Sequence, residues 1–343
     1  MILALIFFAI FLFSWVLTLW LRRYALSSSL IDVPNARSSH SVPTPRGGGV
    51  AVVVSYCCGL LAFFVLNLVN QAQLCALLGA GGLVAVIGFA DDHGHLAARW
   101  RLAGHFIAGA WALFWLNGLA PVTLFGSVMH LGVVGDLAAV VYLVWMLNLY
   151  NFMDGIDGLA SVEAICACIG SALVFWFAGY DNLIWAPSLL AVAVLGFFCW
   201  NFPPAKIFMG DAGSGYLGIT LAVISLIAAW ESPSLLFVWL IMLAVFVVDA
   251  TWTLLRRLVR GEAVYQAHRS HAYQYASRKF NSHKKVTLTI ALINILWLWP
   301  IALFVGLSWL DPLIGVLVAY MPLIGVACYF RAGSLGEDAI NHG

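Results

Sequence analysis

The sequence predicts an all-α polytopic membrane protein, and three observations carry that expectation. Of its 343 residues, 63% are hydrophobic and only 9% charged, against about 45–50% and about 25% in soluble domains. Apolar runs near or above about 18 residues, enough to cross a ~30 Å hydrocarbon core as helix, recur from end to end. Every Lys and Arg falls in alternate connections between those runs. A soluble core with a single anchor is excluded. The net charge of +1 carries no message about partners.

Eleven transmembrane helices are expected, at 2–21, 48–68, 73–90, 102–119, 136–150, 159–178, 183–200, 214–230, 234–255, 286–308 and 311–330. The first lacks a basic leader and a small-residue cleavage site, so it reads as a helix and not as a signal peptide. The segment 119–135 is apolar but broken by Pro121 and several Gly and Ser. Its alternation (Val122, Leu124; Met129, Leu131, Val133) predicts a short hairpin on the outer face instead of a twelfth helix. The basic residues set the orientation. Arg22, Arg23, Arg37 and Arg46 follow span 1, Arg99 and Arg101 follow span 3, and Lys206 follows span 7. Eight more lie between Arg256 and Lys285, and Arg331 opens the tail. Basic loops stay cytoplasmic, which puts the N-terminus outside and the C-terminus inside. The chain 1–343 is one integral-membrane domain, with 256–285 as a basic cytoplasmic loop within it. The seven cysteines form no CxxC pair and read as small core residues.

The acids collect on the same side. Asp91 and Asp92 begin the loop after span 3, and Asp154 and Asp157 lie in the loop after span 5. Asp211 follows span 7, and Asp249 lies in the cytoplasmic half of span 9. Adjacent carboxylates such as Asp91 and Asp92 repel unless a cation lies near. Asn148, Asn151, Asp154 and Asp157 recur every three residues, and on a straight helix each such step turns the side chain by about 60°. A break at Gly155 and Gly158 would let all four face one cavity. A glycine turn with an Asx cap explains one of those aspartates but not both. In PPAKIFMGDAGSG, Asp211 is placed to cap span 8, whose free N–H groups form an anion site, with Lys206 adding a point charge for phosphate. PTPRGGGV brings Arg46 and three glycines to the start of span 2. His268 and His271 lack a third ligand at zinc spacing and suit phosphate contact beside Arg269 better. His93 and His95 read as ordinary loop residues. Hard carboxylates without thiolates select Mg²⁺ or Mn²⁺. Together these residues point to phosphoryl transfer at a membrane face, with a lipid as one substrate. A transporter is the rival class, since intramembrane acids also mark ion paths. It is disfavoured because the acids cluster at one face and no repeat is visible.

The segments ADD (90–92), NLYNFMDGIDGLA (148–160), FMGDAGSGYLG (208–218), VVDATWTLLRR (247–257) and HRSHAYQ (268–274) occur in an order that resembles one family. It is the polyprenyl-phosphate N-acetylhexosamine-1-phosphate transferases of glycosyltransferase family 4, the group containing the MraY and WecA enzymes. The resemblance covers roughly residues 30–275. It implies attack of an undecaprenyl-phosphate oxygen on the β-phosphorus of a UDP-N-acetylhexosamine, with release of UMP, at the bacterial inner membrane. It implies that Asp91 and Asp92 deprotonate or position the lipid phosphate and that Asp211 is the main Mg²⁺ ligand. Asn151, Asp154 and Asp157 would then line the nucleotide-sugar pocket, and Arg269 and His271 bind the pyrophosphate, while Asn148, Arg46 and Lys206 are substrate-binding candidates from the residues themselves. The implied partners are undecaprenyl phosphate and the UDP-sugar, with no nucleic acid and with a homodimer left open. His271-Ala272-Tyr273-Gln274 replaces the consecutive histidines of the peptidoglycan branch, and PTPRGGG replaces its PTMGG. The likeness is greater to enzymes that initiate O-antigen synthesis, with peptidoglycan or teichoic-acid precursor transfer as the alternative.

Overall fold

The computed structural model describes residues 1–34, 39–40, 42–94, 96–124, 127–262 and 268–334. Arg37 and His95 lie outside the described residues. Helix α1 (Ile2–Ser27) leads through a two-residue antiparallel pairing of β1 (Ile31–Asp32) with β2 (Thr44–Pro45) to α2 (Val50–Val65). Then come α3 (Gln71–Gly94), α4 (Ala98–Trp115), and β3 (Val122–Leu124) paired with β4 (Ser127–Met129) in the expected hairpin. Helices α5 (Gly132–Met153), α6 (Leu159–Ala178), α7 (Trp185–Asn201) and α8 (Asp211–Glu231) follow. The last third holds α9 (Pro233–Met242), α10 (Ala244–Val259), α11 (Ala272–Phe280), α12 (His283–Ile293), α13 (Trp299–Gly306) and α14 (Pro312–Tyr329).

Helix occupies each of the eleven predicted segments, but not always as one uniform rod. Among the described residues, eight helices are long and apolar enough to cross a membrane. The α9–α10 pair passes the same test only when taken together, and it is bent by 74° at Leu243. Helix α2, at 16 residues, spans about 24 Å, and α4 carries Arg99 and Arg101 in its first turns. Those arginines were expected in a loop. The tenth segment contains a π turn at Asn294–Leu298, where the Asn294 amide donates to the buried Glu163 carboxylate at 2.8 Å. Pro300 follows at the start of α13 and has no N–H to give the helical ladder, which a π turn accommodates. The 256–285 connection is not all loop either, since α10 runs on to Val259 and α11 lies within it.

The core is organised around α8, which is buried on every side from Ala212 to Ala229. Helices α3, α5 and α2 pack directly on it. Small residues set the distance of approach, as they do between helices in lipid. A Cβ on Gly88 of α3 would fall 2.6 Å from the Asp211 carbonyl and the Ala212 nitrogen. A Cβ on Gly49, before α2, would fall 2.4 Å from Gly213 Cα. These crossings bring the end of α3 and the start of α2 against the first turn of α8.

Candidate active site

The first turn of α8 is the centre of the site. Gly210, at φ 77°, is its N-cap and Asp211 its first residue, with no side-chain cap of its own. The expectation that Asp211 caps this helix is corrected. Asp92 reaches across from α3, and its Oδ2 accepts from the Ala212 N–H at 3.4 Å. A carboxylate fits there because the free N–H groups and the dipole favour negative charge. Arg46 balances it, with Nε 3.8 Å from Asp92 Oδ1 and Nη2 donating to the Asp92 carbonyl at 2.6 Å.

Asp91 and Asp92 lie in the last turn of α3 and are buried, not in a following loop. Asp91 accepts from the Leu96 amide at 2.7 Å and is ion-paired with Arg101, whose Nη1 also lies 3.6 Å from Asp211 Oδ2. Arg101 thus bridges two carboxylates from separate helices. Sequence reading placed it only by its charge.

Asn151 is on α5 and donates to Asp211 Oδ1 at 3.0 Å and to Ser214 Oγ at 2.9 Å. Helix α5 ends at Met153, so Asp154 and Asp157 lie in the turn to α6. The two carboxyls differ sharply. Although part of Asp154 faces the cavity, burial pushes its pKa well above the carboxylate range, and the charges of Asp211, Asp92 and Asp157 add to the rise. Burial also raises Asp157, but His283, at 3.2 Å, and the Ala205 N–H, at 3.0 Å, outweigh it and hold that carboxyl low.

These groups enclose a cavity of about 270 Å³, and six predicted residues line it: Arg46, Asp92, Asn151, Asp154, Asp157 and Asp211. The other five lie elsewhere. Asp91 stands just behind, joined to Asp211 through Arg101. Asn148, a turn back on α5, donates to its own helix at Val144, so the four residues spaced by three do not all face one cavity. Lys206 is exposed, with its ammonium 5.3 Å over the Trp200 ring. Arg269 is exposed, and its carbonyl accepts from Arg278. His271 is buried, 3.3 Å from Asp249 and stacked between His268 and Tyr273. Asp249 in turn accepts from the Ala272 and Tyr273 amides at 2.9 and 3.0 Å. That carboxylate holds the start of α11 against α10.

Sequence reading missed His283, Gln274, Asn201, His40 and Ser214, all of which line the cavity. Asn201, Ser214 and Gln274 fell inside or beside a motif already singled out. Nothing in the spacing joins His283 to Asp157, 126 positions away.

The cavity is lined by oxygen donors and no thiol, and its five carboxylates, Asp32 among them, outnumber the Arg46 guanidinium beside them. Donors of that kind suit Mg²⁺ or Mn²⁺, and a divalent ion would relieve the repulsion around Asp154. Among the described residues, no three acidic, His or Cys side chains already stand together as a ligand set.

Fold and site therefore define a polytopic helical membrane protein built around a carboxylate-lined, helix-N-terminal cavity. Comparison with known proteins gives the family. Glycosyl transferase family 4 matches residues 74–229. The chain is 30% identical over 307 residues to the decaprenyl-phosphate N-acetylglucosaminephosphotransferase of Mycolicibacterium smegmatis, covering 80% of this chain and 75% of that one. It is 28% identical to a probable undecaprenyl-phosphate N-acetylglucosaminyl 1-phosphate transferase of Bacillus subtilis, over 90% of this chain and 87% of the relative. A phospho-N-acetylmuramoyl-pentapeptide-transferase of Streptococcus pyogenes is 31% identical over 57% of this chain and 62% of its own length. The chain belongs to glycosyl transferase family 4, the polyprenyl-phosphate sugar-phosphate transferases.

Proposed function

We propose that this protein transfers an N-acetylhexosamine-1-phosphate from a UDP-sugar to undecaprenyl phosphate in the bacterial cytoplasmic membrane, releasing UMP. The observation that carries the proposal is the meeting of Asp92, Asn151, Asp154, Asp157 and Asp211 in one cavity at the N-terminus of α8. Carboxylates around a helix start suit a metal-bound diphosphate better than an oxocarbenium ion. Asp211, with Asn151 and Asp154 beside it, would hold Mg²⁺, which supplies charge neutralisation at the phosphates.

The chain's own groups then divide the work. Arg46 holds Asp92 in place, and Asp91 and Asp92 receive the lipid phosphate where α3 ends. A phosphomonoester is largely ionised at neutral pH because its second pKa is about 6. These aspartates therefore orient the nucleophile, and an obligatory proton acceptor is not needed. Asp157, fixed by His283 and the Ala205 amide, stays ionised and available to the nucleotide-sugar. In-line attack forms the new phosphorus–oxygen bond and breaks the bond to UMP, which leaves with the electron pair.

For the donor, the N-acetylglucosamine-phosphate transferases align over about four-fifths or more of this chain, and the pentapeptide transferase over 57%. That contrast favours a UDP-N-acetylhexosamine. We extend the proposal to initiation of an O-antigen type glycan, supported by His271-Ala272-Tyr273-Gln274 in place of consecutive histidines. Relatives that make cell-wall precursors fit the alternative equally. Incubation of the purified protein with undecaprenyl phosphate, Mg²⁺ and a panel of labelled UDP-sugars tests both. Labelled chloroform-soluble lipid plus UMP is expected from a simple N-acetylhexosamine donor. Product only from the muramoyl-pentapeptide donor would overturn the O-antigen reading, and no lipid product from any donor would overturn the activity.

A further inference from the structure

Helix α11 is a wall with two unlike faces. Gln274 lines the carboxylate cavity, while Ser277 and Arg278 line an adjoining polar cavity of about 410 Å³. On the other side, Ala272, Ala276 and Phe280 face Ile290 of α12, Ala327 of α14 and Phe330 just after it across a groove of about 340 Å³. The two strongest polar groups in that groove are already engaged. Asp249 is held by the amides at the start of α11, and the Tyr273 hydroxyl donates to the Phe152 carbonyl at 3.1 Å. What remains to be filled is a hydrocarbon space.

Helices α12 and α14 both belong to membrane-crossing segments, and Phe280 and Val326 at the rim are 47% and 42% exposed. A cation stands at the same rim. The ammonium of Lys279 lies 5.7 Å over the Phe330 ring and donates to the Tyr329 hydroxyl at 2.7 Å. An apolar slot with a lysine at its mouth matches an anionic amphiphile.

We propose that this groove binds one acyl chain of an anionic membrane phospholipid, with the headgroup at Lys279, and that the bound chain braces α11. Among the described residues, none lines both this groove and the carboxylate cavity. A phosphate carried on a chain in the groove therefore meets Lys279, not Asp91, Asp92 or Asp211, which favours a bilayer lipid over the prenyl acceptor. Bracing reaches the cavity through Tyr273, whose hydroxyl holds the backbone at Phe152, two residues before Asp154.

Native mass spectrometry of the full-length protein, equilibrated with equal amounts of dioleoyl phosphatidylglycerol and dioleoyl phosphatidylcholine, tests this without any enzymatic readout. Retained phosphatidylglycerol should exceed phosphatidylcholine about fivefold, the effect of one lysine beside an anionic headgroup. Lys279→Gln, at an exposed position, should bring the ratio near one in a protein that still folds. Ala276→Leu and Ala327→Leu, which fill the groove, should lower retention of both lipids. Equal retention by the wild type, or an unchanged preference in Lys279→Gln, would overturn the proposal. So would one-for-one displacement of phosphatidylglycerol by polyprenyl phosphate, which would assign the groove to the acceptor.

Discussion

Replacing Asp211 by Asn separates charge from shape at the centre of the site. The amide keeps an oxygen for the 3.0 Å bond from Asn151. No cap is lost, because the Ala212 amide is served by Asp92. What disappears is the 3.6 Å ion pair with Arg101. In a water-like dielectric such a pair is worth about 1 kcal/mol by Coulomb's law. Both side chains are about two-fifths exposed, at 38% and 40%, so screening lowers that further. Relief of repulsion from Asp92 and Asp154 offsets part of what remains. Folding stability should therefore change by less than about 1 kcal/mol. Transfer should respond very differently. Losing the charge that would hold Mg²⁺ removes several kcal/mol of transition-state stabilisation, and about 4 kcal/mol corresponds to roughly 10³-fold in rate. Thermal unfolding in detergent and transfer of labelled sugar phosphate, measured with and without Mg²⁺, check both halves. Mg²⁺ should raise the Tm of the wild type but not of the variant, since a ligand that binds only the folded state stabilises it. More than a tenth of wild-type transfer in Asp211→Asn would remove Asp211 from the metal site. Loss of folded protein would refute the stability argument.

Asp92→Asn should slow transfer by about 10²-fold, within the range for a positioned acid or base, and leave UDP-sugar affinity unchanged in titration calorimetry. Lost affinity would show that Asp92 serves the nucleotide instead. Gly88→Ala forces a methyl to within 2.6 Å of the start of α8, so α3 and α8 must part. It should destabilise by about 1–3 kcal/mol and reduce the transfer rate of the protein that remains folded, and wild-type activity and Tm would refute so close a crossing. The Asp157 carboxyl is held below its usual value of 3.8. Its contribution to stability is therefore full above the unfolded pKa and lost as pH falls through the folded one. The stability gap between wild type and Asp157→Asn should shrink as pH falls below about pH 4. A gap that stays constant down to pH 3 would show that Asp157 is not held in this way.

Length and apolarity made the eleven helical segments legible, because a lipid solvent demands both. The hairpin after α4 was legible from its alternation, and the clustering of Asp91, Asp92, Asp154, Asp157 and Asp211 from their placement between apolar runs. Features fixed by distant partners were not. Nothing in Ile241-Met242-Leu243-Ala244 marks the 74° bend, and the Glu163 partner of Asn294 lies 131 residues earlier. The cap of α8 came from another helix because Gly88 lets α3 approach. Asn148 shows the limit of periodicity alone. It shares the spacing of Asn151, yet α5 continues unbroken through both and only the later residue reaches the cavity. Lys206 stands five positions before Asp211, but its ammonium stacks on Trp200 outside the site.

The central claim is that phosphorus, not the sugar carbon, is the point of attack. UDP-N-acetylglucosamine carrying ³²P only in its β-phosphate, incubated with the purified protein, Mg²⁺ and undecaprenyl phosphate, decides it directly. The account predicts that the label enters the chloroform-soluble lipid and that the released nucleotide is unlabelled UMP. Labelled UDP in the aqueous phase, with no ³²P in the lipid, would contradict it.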